Sequence, residues 1–119
     1  MQRSHYKVKV PFEIINRGKK FLEDHPGIEV EDYLRALVVL FSTRFPIEID
    51  FETGEEDYFG KEVDFAFNES MDKSLNNILK EKDITLENFI RGACIQIDKE
   101  LVLERNNMAD FLSLLLKSL

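Results

Sequence analysis

The segment IEVEDYLRALVV at residues 28–39 aligns with ITLENFIRGACI at 84–95, and a short plan that occurs twice constrains the fold more than any other feature of the chain. At a fixed offset of 56, Ile28 matches Ile84, Glu31 matches Glu87, Tyr33 matches Phe89, Leu34 matches Ile90, Arg35 matches Arg91 and Ala36 matches Gly92. Upstream the offset becomes 57: Val8 matches Phe65, Val10 matches Phe67, Ile14 matches Met71, Phe21 matches Ile78 and Leu22 matches Leu79. The slip falls in a predicted loop, where the loss of one residue is cheapest.

Each copy reads as a strand followed by two helices. In the first, Tyr6, Val8 and Val10 alternate with His5, Lys7 and Lys9, the pattern of a half-buried strand that ends at Pro11. A helix from Phe12 to about Asp24 carries Ile14, Gly18, Phe21 and Leu22 at spacings of three and four, and "HPG" at 25–27 stops it. A second helix runs from about Val30 to Phe41 or slightly beyond. Its run from Leu37 to Phe41 is apolar nearly all round and belongs in the centre of a core or of a dimer.

In the second copy, Val63, Phe65 and Phe67 alternate with Glu62, Asp64 and Ala66. Asn68 or Ser70 caps a helix with Met71, Leu75, Ile78 and Leu79 on its buried stripe, and Thr85 caps the next, which buries Ile90, Ala93, Cys94, Ile97 and Leu101. The last stretch, 108–119, sets Met108, Phe111, Leu112, Leu115 and Leu119 on one side, widened by Leu114 and Leu116. That stripe needs a surface to cover it, from this chain or from a second copy.

A chain of 119 residues with 44% hydrophobic content sustains one compact core and is too short for two ordinary domains. The expected organisation is a single domain over 1–119: repeat 1 at about 5–44, an acidic insertion at about 45–61, repeat 2 at about 62–105 and a C-terminal helix at about 107–119. The fold class is α+β and mainly helical. The net charge of −7 is concentrated in one place. Between Phe45 and Asp64 lie eight acidic residues against Lys61 alone, whereas residues 1–24 are net positive by three. Within the insertion Ile47, Ile49 and Phe51 alternate with Glu48, Asp50 and Glu52, as a strand or hairpin would, and "ETGEED" reads as a turn. A single mixed sheet, with the strand at 47–52 beside that at 62–67, is the alternative architecture.

The order strand, helix, tight turn, helix, occupying 6–41 and again 63–101, resembles the ribbon-helix-helix family of DNA-binding proteins. In that family two strands, usually from two chains, form an antiparallel ribbon that enters the major groove over a core of four helices. The resemblance implies a tandem, single-chain version in which one polypeptide supplies both halves. It implies that His5, Lys7 and Lys9 face base edges, with Glu62, Asp64 and Ala66 as their counterparts. It also implies a phosphate on the first backbone amides of the second helix, where Thr85 fits and where Glu29, Glu31 and Asp32 oppose an anion in the first copy.

Catalysis is not expected. Both histidines lie in the first 25 residues, without cysteine or histidine at ligand spacing, and the five glycines form no phosphate loop. Cys94, the only cysteine, excludes an internal disulfide and reads as a buried small hydrophobe. The carboxylates at 48, 50 and 52 lack the glycine and closing glutamate of a calcium loop, so neither metal nor cofactor is expected. No stretch approaches the roughly 20 apolar residues of a membrane span, and a cytoplasmic location follows as the expectation. The leading reading is a small bacterial, phage or plasmid regulator that binds DNA through the ribbon and assembles as a homo-oligomer through its last helix. The alternative is a protein-binding module on the same scaffold, antitoxin-like or an acidic inhibitor, that presents Glu48, Asp50, Glu52, Glu55, Glu56 and Asp57 to a basic partner.

Overall fold

The computed structural model describes residues 3–44, 60–80, 84–105 and 107–117, and the acidic run at 45–59, with the strand or hairpin expected there, lies outside them. The described chain is α+β and mostly helical. Its elements are β1 (Arg3–Pro11), α1 (Phe12–Phe21), a 3₁₀ turn at Leu22–Asp24, α2 (Val30–Arg44), β2 (Gly60–Asn68), α3 (Glu69–Leu79), α4 (Leu86–Val102) and α5 (Met108–Lys117).

The two strands form one antiparallel ribbon, in which Tyr6 faces Phe65, Lys7 faces Asp64, Val8 faces Val63 and Lys9 faces Glu62. Alternation along both strands sends Val8, Val10, Val63, Phe65 and Phe67 inward, each at most 7% exposed. β2 begins at Gly60, earlier than the sequence pattern marks, because β1 runs on through Pro11 and supplies a facing residue there. Two residues expected in the insertion therefore belong to the ribbon. Proline is tolerated at this position, where the strand ends and α1 begins.

Beneath the ribbon lie α2 and α4. Phe41 near the end of α2 meets Phe89 near the start of α4 edge-on, with ring centroids 5.6 Å apart. Tyr33 near the start of α2 lies by Asp98 near the end of α4, so the two helices run antiparallel. Leu34, Leu37 and Val38 from α2 and Ile90, Ala93, Cys94 and Ile97 from α4 are fully excluded from solvent. Each of the larger ones contributes about 1.5–3 kcal/mol through burial. The flanking helices add amphipathic cover, with Ile14 and Ile15 from α1 and Leu75 and Leu79 from α3.

Local chemistry fixes the helix ends. Asn68 accepts a hydrogen bond from the Met71 amide at 2.8 Å, and Thr85 accepts one from the Asn88 amide at 3.2 Å. Gly27 turns the chain at φ 88° after Pro26, a conformation open to glycine. Gly18 serves a different need, because a methyl group there would stand 2.7 Å from the Tyr33 ring.

α5 lies against α2 and α4 of its own chain and buries Met108, Leu112 and Leu116 there. Of the remaining stripe Phe111 and Leu115 are half-buried, and Leu119 lies outside the described residues. Leu114, at 63% exposed, is the large apolar residue of the helix that faces outward.

Burial acts on Cys94 as well as on its neighbours. Desolvation, assisted by the nearby Asp98 charge, pushes its thiol well above the ordinary range. Desolvation does the same to the Tyr33 hydroxyl. Both groups keep their protons in the folded state after the unfolded chain has begun to lose them. Their stabilising contribution is complete at neutral pH and is lost as pH rises past the unfolded values, about 8.5 for cysteine and 10 for tyrosine. Urea midpoints are expected to fall above that point, with Cys94 alone contributing about 1.4 kcal/mol per pH unit. Cys94→Ala should flatten the slope between pH 8.5 and 10; an unchanged slope would contradict this account.

Candidate nucleic-acid interface

The outer face of the ribbon is the surface that the sequence marks. His5, Lys7 and Lys9 from β1 are exposed, and so are Glu62 and Asp64 from β2, with Ala66 half-buried. The register brings these six together as three facing pairs: His5 with Ala66, Lys7 with Asp64, and Lys9 with Glu62. With neutral histidine the two lysines and two carboxylates cancel. His5 Nδ1 also lies 2.9 Å from Asp64 Oδ2, a diagonal contact between side chains that are 58% and 50% exposed. A pair this open to water contributes at most about 1 kcal/mol.

Thr85 belongs to another element, the start of α4, where it is exposed and its hydroxyl is engaged with the Asn88 amide. The matching position at the start of α2 is acidic: Glu29 donates its amide to Asp32 Oδ2 at 3.4 Å, and Glu31 and Asp32 occupy the first turn. These carboxylates stabilise the helix start and repel an anion there. The residues expected to meet a basic protein partner, Glu48, Asp50, Glu52, Glu55, Glu56 and Asp57, lie outside the described residues.

Three arginines carry no local signal in the sequence, and two of them reach the strands of the ribbon. Arg35 of α2 donates to the Ala66 carbonyl of β2 at 3.4 Å and pairs with Asp32 at 2.8 Å. Arg91 of α4 donates to the Lys9 carbonyl of β1 at 3.1 Å and to Asn88 Oδ1 at 2.9 Å. Thus α2 reaches β2 and α4 reaches β1, and each arginine is steadied by the residue three positions earlier. Matching Arg35 with Arg91 was the one clue available beforehand. The third, Arg17 of α1, holds Asp98 of α4 through Nε at 2.9 Å and through Nη2, and the carboxylate keeps its guanidinium more firmly protonated than usual. That pair borders a cavity of about 240 Å³ lined also by Phe21, Tyr33 and Leu101.

Tyr6, at the edge of the inner face, hydrogen-bonds Asp72 of α3 and so ties β1 to the helix that follows β2. Burial and this carboxylate raise its hydroxyl above the ordinary tyrosine range. Among the described residues, no group of three histidine, cysteine, aspartate or glutamate side chains is arranged to hold a metal ion. No helix among them is long and apolar enough to cross a membrane. No family model, no curated protein and no solved structure matches this chain.

Proposed function

We propose that the chain is a single-chain ribbon-helix-helix-like unit in which two tandem repeats imitate a symmetric pair, and that it binds DNA through the outer face of its ribbon. One observation carries the reading. At the repeat offset of 57 the counterpart of Lys7 is Asp64, and these two residues face each other in the ribbon. Uniform antiparallel register then sets the neighbours accordingly, with Tyr6 facing Phe65 and Val8 facing Val63. A local twofold would pass through the Lys7–Asp64 pair, which stands at the middle of both nine-residue strands. The crossed arginines support the same relation, because Lys9 and Ala66 are counterparts at that offset and receive Arg91 and Arg35.

DNA binding by this surface rests on Lys7 and Lys9, which donate to guanine acceptors and neutralise phosphate. The facing carboxylates restrain non-specific attraction, so selectivity depends on base contacts. Fluorescence anisotropy on duplexes from around the protein's own gene, at low salt, tests this. Saturable binding is expected, and Lys7→Ala with Lys9→Ala should weaken it by at least about tenfold. Glu62→Gln with Asp64→Asn should strengthen binding to duplexes of unrelated sequence and narrow the preference for the specific one. Absence of saturable binding, or indifference to the lysines, rejects the mechanism.

A second reading, a protein-binding module on the same scaffold, is favoured by the cancelled charge of the ribbon face and by the acidic start of α2. It predicts that a pull-down from the native host recovers a stoichiometric basic protein released by salt, and that no duplex binds.

A further inference from the structure

We propose that the DNA site read by this chain is non-palindromic, with two unlike half-sites contacted by a single polypeptide; the inference rests on the DNA-binding reading above. A dimer of identical chains presents each side chain twice about its axis, so its preferred site repeats itself about the same axis. Here the local twofold relates unlike groups. It carries Lys7 onto Asp64, His5 onto Glu62 and Lys9 onto Ala66.

The difference is chemical and not merely one of size. A lysine ammonium only donates hydrogen bonds, an ionised carboxylate only accepts them, and alanine offers a methyl group. In the major groove the donors of β1 suit guanine N7 and O6. The acceptors of β2 suit the amino groups of cytosine and adenine, and Ala66 suits a thymine methyl. The same base edges cannot satisfy both strands, so the half-sites diverge.

The backbone beneath these side chains is held alike in the two halves. Arg35 and Arg91 grip counterpart carbonyls on opposite strands, and the inward residues Val8, Val10, Phe65 and Phe67 are equally buried. The asymmetry is therefore confined to the residues that would meet the bases. The helix starts add to it, since a threonine caps α4 where Glu29 stands before α2. A phosphate is accepted more readily on one side of the site than on the other.

Selection from a randomised duplex library, followed by sequencing, tests the proposal with the full chain. The wild-type protein is expected to enrich a motif that is not its own reverse complement. Rebuilding that motif as a palindrome of either half should weaken binding by about tenfold or more for each base pair made wrong. The variant Glu62→His, Asp64→Lys, Ala66→Lys gives β2 the outer residues of β1 and should enrich a palindrome. Glu62 and Asp64 are exposed and Ala66 is half-buried, so the fold tolerates the change, and circular dichroism checks this. A palindromic wild-type motif overturns the inference while leaving DNA binding intact. No enrichment by the wild-type protein at low salt overturns the DNA-binding reading and this inference with it.

Discussion

Replacing Arg17 with alanine is expected to destabilise the fold by about 3 kcal/mol, because it strands a charge in the interior. Asp98 is 5% exposed, and Arg17 meets it with a two-pronged hydrogen bond. The guanidinium itself is 43% exposed, so water shares in the interaction and the cost falls at the lower end for a broken buried pair. Asp98 also sits in the last turns of α4, where the helix dipole disfavours a carboxylate and increases its dependence on the arginine. Replacing both partners with apolar residues, Arg17→Met with Asp98→Leu, removes the stranded charge and should return stability to within about 1 kcal/mol of the starting protein. Glu13, 4.0 Å from Arg17 and 85% exposed at its side chain, is the control. Glu13→Ala should change stability by less than about 0.5 kcal/mol. Urea unfolding of the four proteins decides the matter. A single replacement no more costly than the Glu13 control would mean that Asp98 finds water or another donor.

The ion pair illustrates what the sequence could and could not convey. Alternation at 5–10 and 62–67 and the three-and-four spacing of the helices are local patterns. Hydrophobic burial enforces them directly, and the positions of β1, α1, α2, β2, α3, α4 and α5 follow from them closely. Caps are local too, and Asn68 and Thr85 act where their side chains suggest. Arg17 and Asp98, by contrast, are 81 positions apart, and Arg91 reaches a carbonyl 82 positions away. No periodicity encodes such pairings. They exist because α4 packs against both β1 and α1, elements from the opposite end of the chain.

The ribbon face lay between these extremes. Alternation identified its six outward residues, but their mutual neutralisation depends on register, and a slip of one residue would rearrange every facing pair. Register is fixed here by the inward set, since Tyr6, Val8 and Val10 must share a face with Val63, Phe65 and Phe67 to seal the core. The chemistry of the outer face is thus a by-product of packing on the opposite side of the same two strands. Such a dependence explains why the individual residues were legible while the charge balance of the face was not.

α5 allows the sharpest separation of an internal role from an external one. Leu112 is fully buried against the rest of the chain, whereas Leu114, two residues later, is 63% exposed. Leu112→Ala should cost about 3 kcal/mol, the transfer free energy of the lost side chain plus the cavity it leaves between helices. Leu114→Ala should change stability by less than about 0.5 kcal/mol if the helix acts only within its own chain. An assembly of copies through α5 would desolvate Leu114 as well. Its replacement would then lower the apparent melting temperature, and the loss would depend on protein concentration. Thermal unfolding at two concentrations a hundredfold apart, with sedimentation to count chains, separates these outcomes. Met108, Leu112 and Leu116 pack on α2 and α4 of their own chain, so α5 has an internal role whichever outcome is found. On that account the last helix completes the core from outside, and one polypeptide supplies both strands of the ribbon without help from a second.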